Sequence, residues 1–244
     1  MMGANEISLR KAAIIAGVAY LMIFLVSILG NSFALDKLII MGDAVMTSNN
    51  IIAHKSLFRL GITCWLVVIV FDALVAWALY LLLKPINKSL SLLSAWFRII
   101  FVVIFAYSFI ELNSVLQLFS GADYLEVFEM SQQQAKAMLL INKHDSAMHL
   151  SFIFFGLHIF VLGYLILKSE YIPKFLGFLL VVASCGYLID SFGNFISSGY
   201  ASNETLFYVF VAVPAMISEF SLTIWLLVKG RKIQEPTPGI SNLQ

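Results

Sequence analysis

Six predominantly apolar segments, each of roughly 20 to 25 residues, constrain the fold of this chain more than any other feature. They are Ala12–Gly30, Leu60–Leu83, Ala95–Phe119, Met148–Leu167, Pro173–Phe195 and Leu206–Val228. A helix of this length crosses the ~30 Å hydrocarbon layer of a bilayer, and a helix satisfies its own backbone hydrogen bonds there. The segments therefore predict an all-α fold, a polytopic membrane helix bundle with six transmembrane helices.

The composition agrees with a membrane protein. Of 244 residues, 61% are hydrophobic and 12% are charged, against about 45–50% and about 25% in soluble domains. Membrane lipids are the expected partners, together with a small-molecule ligand, whereas a formal net charge of +1 gives no reason to expect nucleic acid. The sequence identifies neither a cofactor nor an oligomeric state.

Lysine and arginine are unevenly distributed between the two sides. One side carries Arg10, Lys11, Lys84, Lys88, Lys168, Lys174, Lys229, Arg231 and Lys232, and the other carries Lys37, Lys55, Arg59, Lys136 and Lys143. The richer side is expected to face the cytosol, which places both termini inside. We assign residues 1–232 to the transmembrane domain and residues 233–244, which contain Pro236 and Pro238, to a disordered cytosolic tail.

Two segments on the outer side are longer than a linker needs. Residues 122–145 mix apolar and charged side chains in the pattern of a helix lying at the outer membrane interface. The stretch MTSNNIIAHKSLFRLG, residues 46–61, predicts a helix that runs directly into the second span.

Ionisable residues inside the spans are the candidate functional residues, because a charge at the bilayer centre costs roughly 2.5–3.5 kcal/mol even on the lenient insertion scale. The predicted interior polar cluster comprises Asp72, His158, Glu219, Asp190 and Glu111, and the candidates at the outer rim are His54, Arg59 and His149. Asp72, His158 and Glu219 lie at similar depth, within about one helical turn. Asp72 is therefore expected to face the bundle interior with a polar partner.

Two further polar features lie within the spans. Arg98 is close to the cytosolic end of its span, so we expect its side chain to reach the interface rather than the interior. In the fifth span, Ser184, Tyr187, Asp190 or Ser191, Asn194 and Ser198 recur at steps of three and four residues and form one polar stripe.

No metal site is predicted, because the sequence contains neither an HxxxH nor an HExxH spacing. A site assembled from different spans, such as His54 with His149 and an acid, remains open. Three function classes follow: binding or transport of a small polar or cationic molecule or of protons; an intramembrane lipid-modifying enzyme; and a non-catalytic sensor, immunity or assembly protein. We rank the first class highest. No catalytic residue can be named.

Four stretches of the chain carry a family resemblance. They are NNIIAHKSLFRLG (49–61), AWFRI (95–99), GYLILKSEYIPKFLGFLLVVASCGYLIDS (163–191) and EFSLTIWLLVKG (219–230). They resemble a bacterial integral-membrane family known as domain of unknown function 4386, and the resemblance extends over nearly the whole chain. It implies a multi-pass protein of the bacterial cytoplasmic membrane, and its blocks include His54, Arg59, Asp72, Arg98, Asp190 and Glu219.

Overall fold

A computed structural model describes residues 7–196 and the backbone of residues 200–234, with side chains of the latter segment described from residue 213 onward. The described residues form helices joined by turns and loops, and none of them forms a strand. The α-helices are α1 (Leu9–Gly30), α2 (Ala44–Ala53), α3 (Lys55–Leu83), α4 (Lys88–Leu118), α5 (Met130–Lys168), α6 (Lys174–Ile196) and α7 (Tyr200–Val228). Short 3₁₀ turns lie at Leu35–Lys37, Asp123–Leu125 and Gly230–Lys232.

Five helices, α1 and α3 to α6, have the length and apolar composition needed to cross a membrane. The apolar part of α7 within the described side chains, Val213–Val228, is shorter. The predicted fold class, an all-α polytopic membrane helix bundle, is confirmed. The number of six spans and the inside location of both termini stay predictions.

The long helices pack in chain order around the bundle. Each of α3 to α7 contacts the preceding long helix, and α7 returns to contact α1, which closes the arrangement. At this closing contact, a Cβ atom added to Gly17 would lie 2.9 Å from Leu227 Cγ. A larger residue would separate the two helices, so the glycine permits the close approach that shapes the bundle.

A second close approach joins α5 and α6. A Cβ atom on Gly163 would lie 2.8 Å from the backbone oxygen of Gly177, and one on Gly177 would lie 2.7 Å from the backbone oxygen of Gly163. Each glycine therefore faces the backbone of the other helix. This contact fixes the position of α6 relative to α5, and each of these helices contributes a side chain to the site described below.

The prediction of a separate interfacial helix over residues 122–145 is wrong. Residues 122–129 form loop and a 3₁₀ turn, and Met130 begins a single helix of 39 residues that continues to Lys168. A capping box explains this start, because the Glu129 side chain and the Gln132 side chain each satisfy the other residue's backbone N–H. Residues 130–145 are thus the N-terminal part of the same helix that contains the predicted fourth span.

The separate short helix is instead α2. The sequence analysis predicted that this segment continues directly into the second span as one helix. Asp43 begins it by accepting a hydrogen bond from the Met46 backbone N–H at 2.9 Å. His54, with φ −127° and ψ 44°, interrupts the helical path between α2 and α3. The chain therefore does not run straight into the second span, and α2 packs against α5.

The folded region extends beyond the predicted domain end at residue 232. Ile233 is buried, and its carbonyl oxygen accepts a hydrogen bond from Arg10 Nε at 2.6 Å. This residue ties the end of α7 to the start of α1, so it belongs to the bundle rather than to a tail. Residues 235–244 of the predicted tail lie outside the described residues.

Candidate functional site

Six polar side chains, one from each long helix, meet inside the bundle. This central cluster consists of Tyr20 (α1), Asp72 (α3), Arg98 (α4), His158 (α5), Tyr187 (α6) and Glu219 (α7). The closed packing order of the helices makes it possible, because every long helix presents one face to the same interior. Residues far apart in the sequence thus form one site.

Arg98 is at the centre of the cluster. Its side chain is 1% exposed, and Nη2 donates a hydrogen bond to Asp72 Oδ1 in a buried ion pair. The prediction that Arg98 reaches the membrane interface is wrong. A carboxylate without a cation inside the bundle would be strongly destabilising. This cost outweighs the free energy that the guanidinium would gain by reaching the membrane interface. The expectation that Asp72 faces the interior with a polar partner is confirmed.

The other terminal nitrogen of the guanidinium, Arg98 Nη1, determines the tautomer and the charge of His158. Arg98 Nη1 donates to Tyr20 Oη at 2.9 Å and to His158 Nε2 at 3.1 Å. Nε2 must therefore carry a lone pair, and the ring proton lies on Nδ1, which donates to the Ser94 carbonyl oxygen at 2.9 Å. This arrangement requires a neutral imidazole, held in one tautomer by α4 on both sides.

Aromatic rings hold the guanidinium in place. Its central carbon lies 5.0 Å from the centre of the Tyr20 ring and 5.3 Å from the centre of the Phe155 ring. Both distances allow cation–π attraction, which is stronger in a site without water. Arg98 Nε has no hydrogen-bond partner among the described residues, so one guanidinium donor is available to a small acceptor such as water.

Glu219 occupies the opposite side of the cluster. Tyr187 Oη donates to Glu219 Oε1 at 3.1 Å, and both residues are partly buried. The Glu219 carboxylate interacts electrostatically with Arg98 and Asp72. The Tyr187 ring packs edge-on against Phe155 at 5.0 Å, so the acid and the guanidinium share one aromatic wall.

The charges of the central cluster do not balance when each acid is ionised. It contains one guanidinium and two carboxyl groups, Asp72 and Glu219, together with a neutral histidine and two phenols. Within the described part of the chain, Arg98 forms its direct ion pair with Asp72 only. Glu219 thus lies near the guanidinium without being its primary partner.

Asp190 and His149 form a second polar group, which we call the outer group, with Asp145. His149 Nδ1 lies 3.5 Å from Asp190 Oδ2, and His149 Nε2 lies 3.8 Å from Asp145 Oδ2. The group lies at the middle of α5 and six residues before the C-terminal end of α6. The structure therefore places Asp190 outside the central cluster, although the sequence analysis grouped it with Asp72.

The other predicted site residues lie apart from both groups. Glu111 accepts a hydrogen bond at 2.9 Å from Tyr107, which lies on the same helix and is 54% exposed; its predicted place in the interior cluster is wrong. His54 and Arg59 are exposed. Among residues 7–196 and 213–234, no three His, Cys, Asp or Glu side chains are arranged to hold a metal ion.

Sequence reasoning did not identify Tyr20 or Ser94 as site residues. Tyr20 and Ser27 are the two residues with polar side chains between Ala12 and Gly30. A hydroxyl group in an otherwise apolar span was the one signal that could have identified Tyr20. Both the backbone oxygen and the hydroxyl oxygen of Ser94 lie 2.9 Å from His158 Nδ1, and no residue pattern in the sequence indicates this contact. Tyr187 was found in the polar stripe of the fifth span and Glu219 was assigned to the interior cluster, but the sequence did not indicate that the two are partners.

The fold and the central cluster together define a multi-pass helical membrane protein with charged residues inside its bundle. The family model described as "Domain of unknown function (DUF4386)" matches residues 15–230, and the chain belongs to this family. The resemblance stated from the sequence is confirmed.

A relative from Archaeoglobus fulgidus, named "Uncharacterized protein", is 34% identical over 168 residues, which cover 69% of this chain and 82% of the relative. Its archaeal source shows that similarity to this chain is not confined to bacteria. No solved structure matches the chain.

Proposed function

We propose that this protein binds a proton at the central cluster and uses it to change the packing of its helices, as a proton-coupled binding or transport protein for a small polar or cationic molecule. One observation carries the proposal: two carboxyl groups share one guanidinium inside an apolar bundle. The proposal extends to location, with the protein in the cytoplasmic membrane and both termini inside.

The reason is the cost of an uncompensated charge. An ionised carboxylate without a cation is strongly disfavoured in a medium of low dielectric constant, and such a group takes up a proton instead. Arg98 neutralises Asp72 through a direct ion pair. Glu219 is then the group that holds the exchangeable proton, with the Tyr187 hydroxyl hydrogen-bonded to the same carboxyl group.

The extent of burial differs within the cluster. Arg98 and His158 are each 1% exposed, whereas Glu219 and Tyr187 are only partly buried. A proton arriving at Glu219 would weaken its attraction to Arg98, which also holds residues from α1, α3 and α5. One protonation step can therefore alter contacts across the bundle.

Infrared titration of the protein in lipid tests the proposal. The wild type should show the C=O stretch of a protonated carboxyl group near neutral pH, and Glu219→Gln should remove it. Glu111→Gln is the matched control, since it alters a carboxyl group outside the cluster. Asp72→Asn should also remove the band, because one carboxylate then matches one guanidinium. A wild type without the band between about pH 5 and about pH 8 would contradict the proposal.

A second candidate, a non-catalytic assembly or sensor protein, is favoured by the contribution of one side chain from every long helix. In that case the cluster would mainly hold the helices together. Asp72→Asn separates the two: loss of proton uptake with nearly intact folding supports coupling, whereas a large fall in thermal stability with no protonated carboxyl in the wild type supports assembly. The outer-rim residues proposed for a lipid-modifying enzyme are dispersed, so no observation favours that class.

A further inference from the structure

A cleft of about 780 Å³ opens at the end of the bundle where α1 begins and α7 ends. Residues from four regions line it: the start of α1, the α3–α4 turn, the α5–α6 turn and the end of α7 with the segment after it. We call it the inner cleft, because the distribution of lysine and arginine predicts that this end faces the cytosol. Its volume is within the range of small-molecule sites.

The inner cleft carries two ammonium groups that are available to a ligand. Lys229 and Lys232 line it and are exposed, and neither forms an ion pair with any side chain in the described part of the chain. Among the described residues, Glu170 is the one acid in the lining. Burial raises the pKa of the Tyr171 phenol, so that hydroxyl adds no negative charge. The lining is therefore net positive.

The remaining wall is apolar and firmly held. Leu9, Pro173, Trp225 and Ile233 contribute to it. The Tyr171 hydroxyl donates to the Leu82 carbonyl oxygen at 2.5 Å, which fixes the α5–α6 turn against the end of α3. A tryptophan beside lysines at the end of a membrane-spanning bundle is suited to the boundary between headgroups and acyl chains.

We propose that the inner cleft binds an anionic glycerophospholipid of the inner leaflet, with Lys229 and Lys232 contacting its phosphate and Trp225 contacting its glycerol and acyl region. A phosphate ester offers charged acceptors to the two ammonium groups, and basic pockets on this side of a bundle suit anionic headgroups. The apolar wall distinguishes an amphiphilic ligand from a free anion. This site is separate from the central cluster and does not depend on its proposed function.

The test measures thermal unfolding of the full chain in nanodiscs of phosphatidylcholine, with and without phosphatidylglycerol. Phosphatidylglycerol should raise the Tm of the wild type by at least about 3 °C. The double variant Lys229→Gln/Lys232→Gln should lose more than half of this gain. The matched control is Lys11→Gln/Lys88→Gln, which removes two exposed lysines from the same end but outside the cleft, and it should keep the gain.

Inorganic phosphate added to phosphatidylcholine nanodiscs distinguishes the two sources of phosphate. Stabilisation by the lipid alone supports the proposal, whereas equal stabilisation by inorganic phosphate would overturn the assignment to lipid. Equal losses in the two double variants would indicate general surface attraction and overturn the site itself. Native mass spectrometry of the detergent-extracted wild type gives a readout that needs no variant: phosphatidylglycerol should remain bound in preference to phosphatidylcholine, and equal retention would also overturn the proposal.

Discussion

The central cluster and the outer group present two histidines of one helix in different settings. His158 and His149 both lie on α5, but His158 is 1% exposed and accepts a hydrogen bond from a guanidinium at 3.1 Å. The His149 side chain is 13% exposed and lies 3.5 Å and 3.8 Å from two carboxylates. The same residue type is a neutral acceptor in one setting and the neighbour of two acids in the other.

Burial explains why the two groups should differ in their importance for stability. Removing one partner from a buried charged network leaves the other partner without water and without compensation, which is strongly destabilising. In the outer group the Asp145 side chain is 46% exposed, and an ion pair with so exposed a partner contributes about 0–1 kcal/mol. The following four changes test this difference, beginning with the largest expected effect.

Arg98→Ala should be the most damaging change. It removes the partner of Asp72 and the donor to Tyr20 and His158, so the free energy of unfolding should fall by about 3–5 kcal/mol. Equilibrium unfolding in mixed micelles measures the loss. Arg59→Ala, at an exposed position, should change the same quantity by no more than about 0.5 kcal/mol. Similar losses for the two variants would show that Arg98 is not the centre of the network.

The double variant Asp72→Leu/Arg98→Met should unfold less easily than Arg98→Ala. It removes both charges of the ion pair and refills the space, so no uncompensated carboxylate remains at position 72. We expect recovery of at least about half of the loss caused by Arg98→Ala, because replacing a buried ion pair by apolar residues is often neutral. If the double variant is as unstable as Arg98→Ala, the loss reflects packing rather than charge.

The two histidines provide a comparison within α5. His158→Ala removes one of the two acceptors of Arg98 Nη1, which keeps Tyr20 Oη, and it removes the imidazole donor to the Ser94 carbonyl oxygen, so it should cost about 1–3 kcal/mol. His149→Ala should cost less than His158→Ala, because His149 receives no hydrogen bond from a guanidinium of the described residues and one of its acidic neighbours, Asp145, is 46% exposed. Thermal and denaturant unfolding of both variants under the same conditions test the order. A larger effect of His149→Ala would reverse the proposed roles of the two groups.

Glu111→Gln should have the smallest effect, within about 0.5 kcal/mol. The change alters one hydrogen bond with Tyr107, a residue four positions earlier on the same helix and largely exposed. The measurement is again the free energy of unfolding, with Arg98→Ala as the buried position for comparison. A loss as large as that of Arg98→Ala would place Glu111 in a buried network after all.

Much of the fold follows from local patterns in the sequence. Apolar length alone predicts helices α3, α4 and α6, since each helix as observed contains nearly all of its predicted span. The helix boundaries in residues 44–55 and 122–130 were harder to predict, because periodicity does not show where a helix begins or ends. The capping box at Glu129 begins α5, and the non-helical backbone of His54 separates α2 from α3. Both are decided by a few backbone hydrogen bonds that composition does not reveal.

The candidate site was only partly predictable from residue type and depth. Asp72, His158 and Glu219 were selected because they lie deep within their spans, and the structure places all three in the central cluster. Asp190 and Glu111 met similar criteria but lie elsewhere. Depth along a helix is readable from the sequence, whereas the direction in which a side chain points depends on which helix packs on each face.

Two conclusions follow from residue type alone: the chain is a helical membrane protein, and the carboxylate at position 72 needs a partner inside it. The cost of a charge in hydrocarbon makes both conclusions independent of detailed packing. That Arg98 is this partner follows from how the helices pack. Arg98 lies near the end of its predicted span in the sequence. In the structure it contacts residues of α1, α3 and α5, and the carboxylate that compensates its charge is in the interior of the bundle.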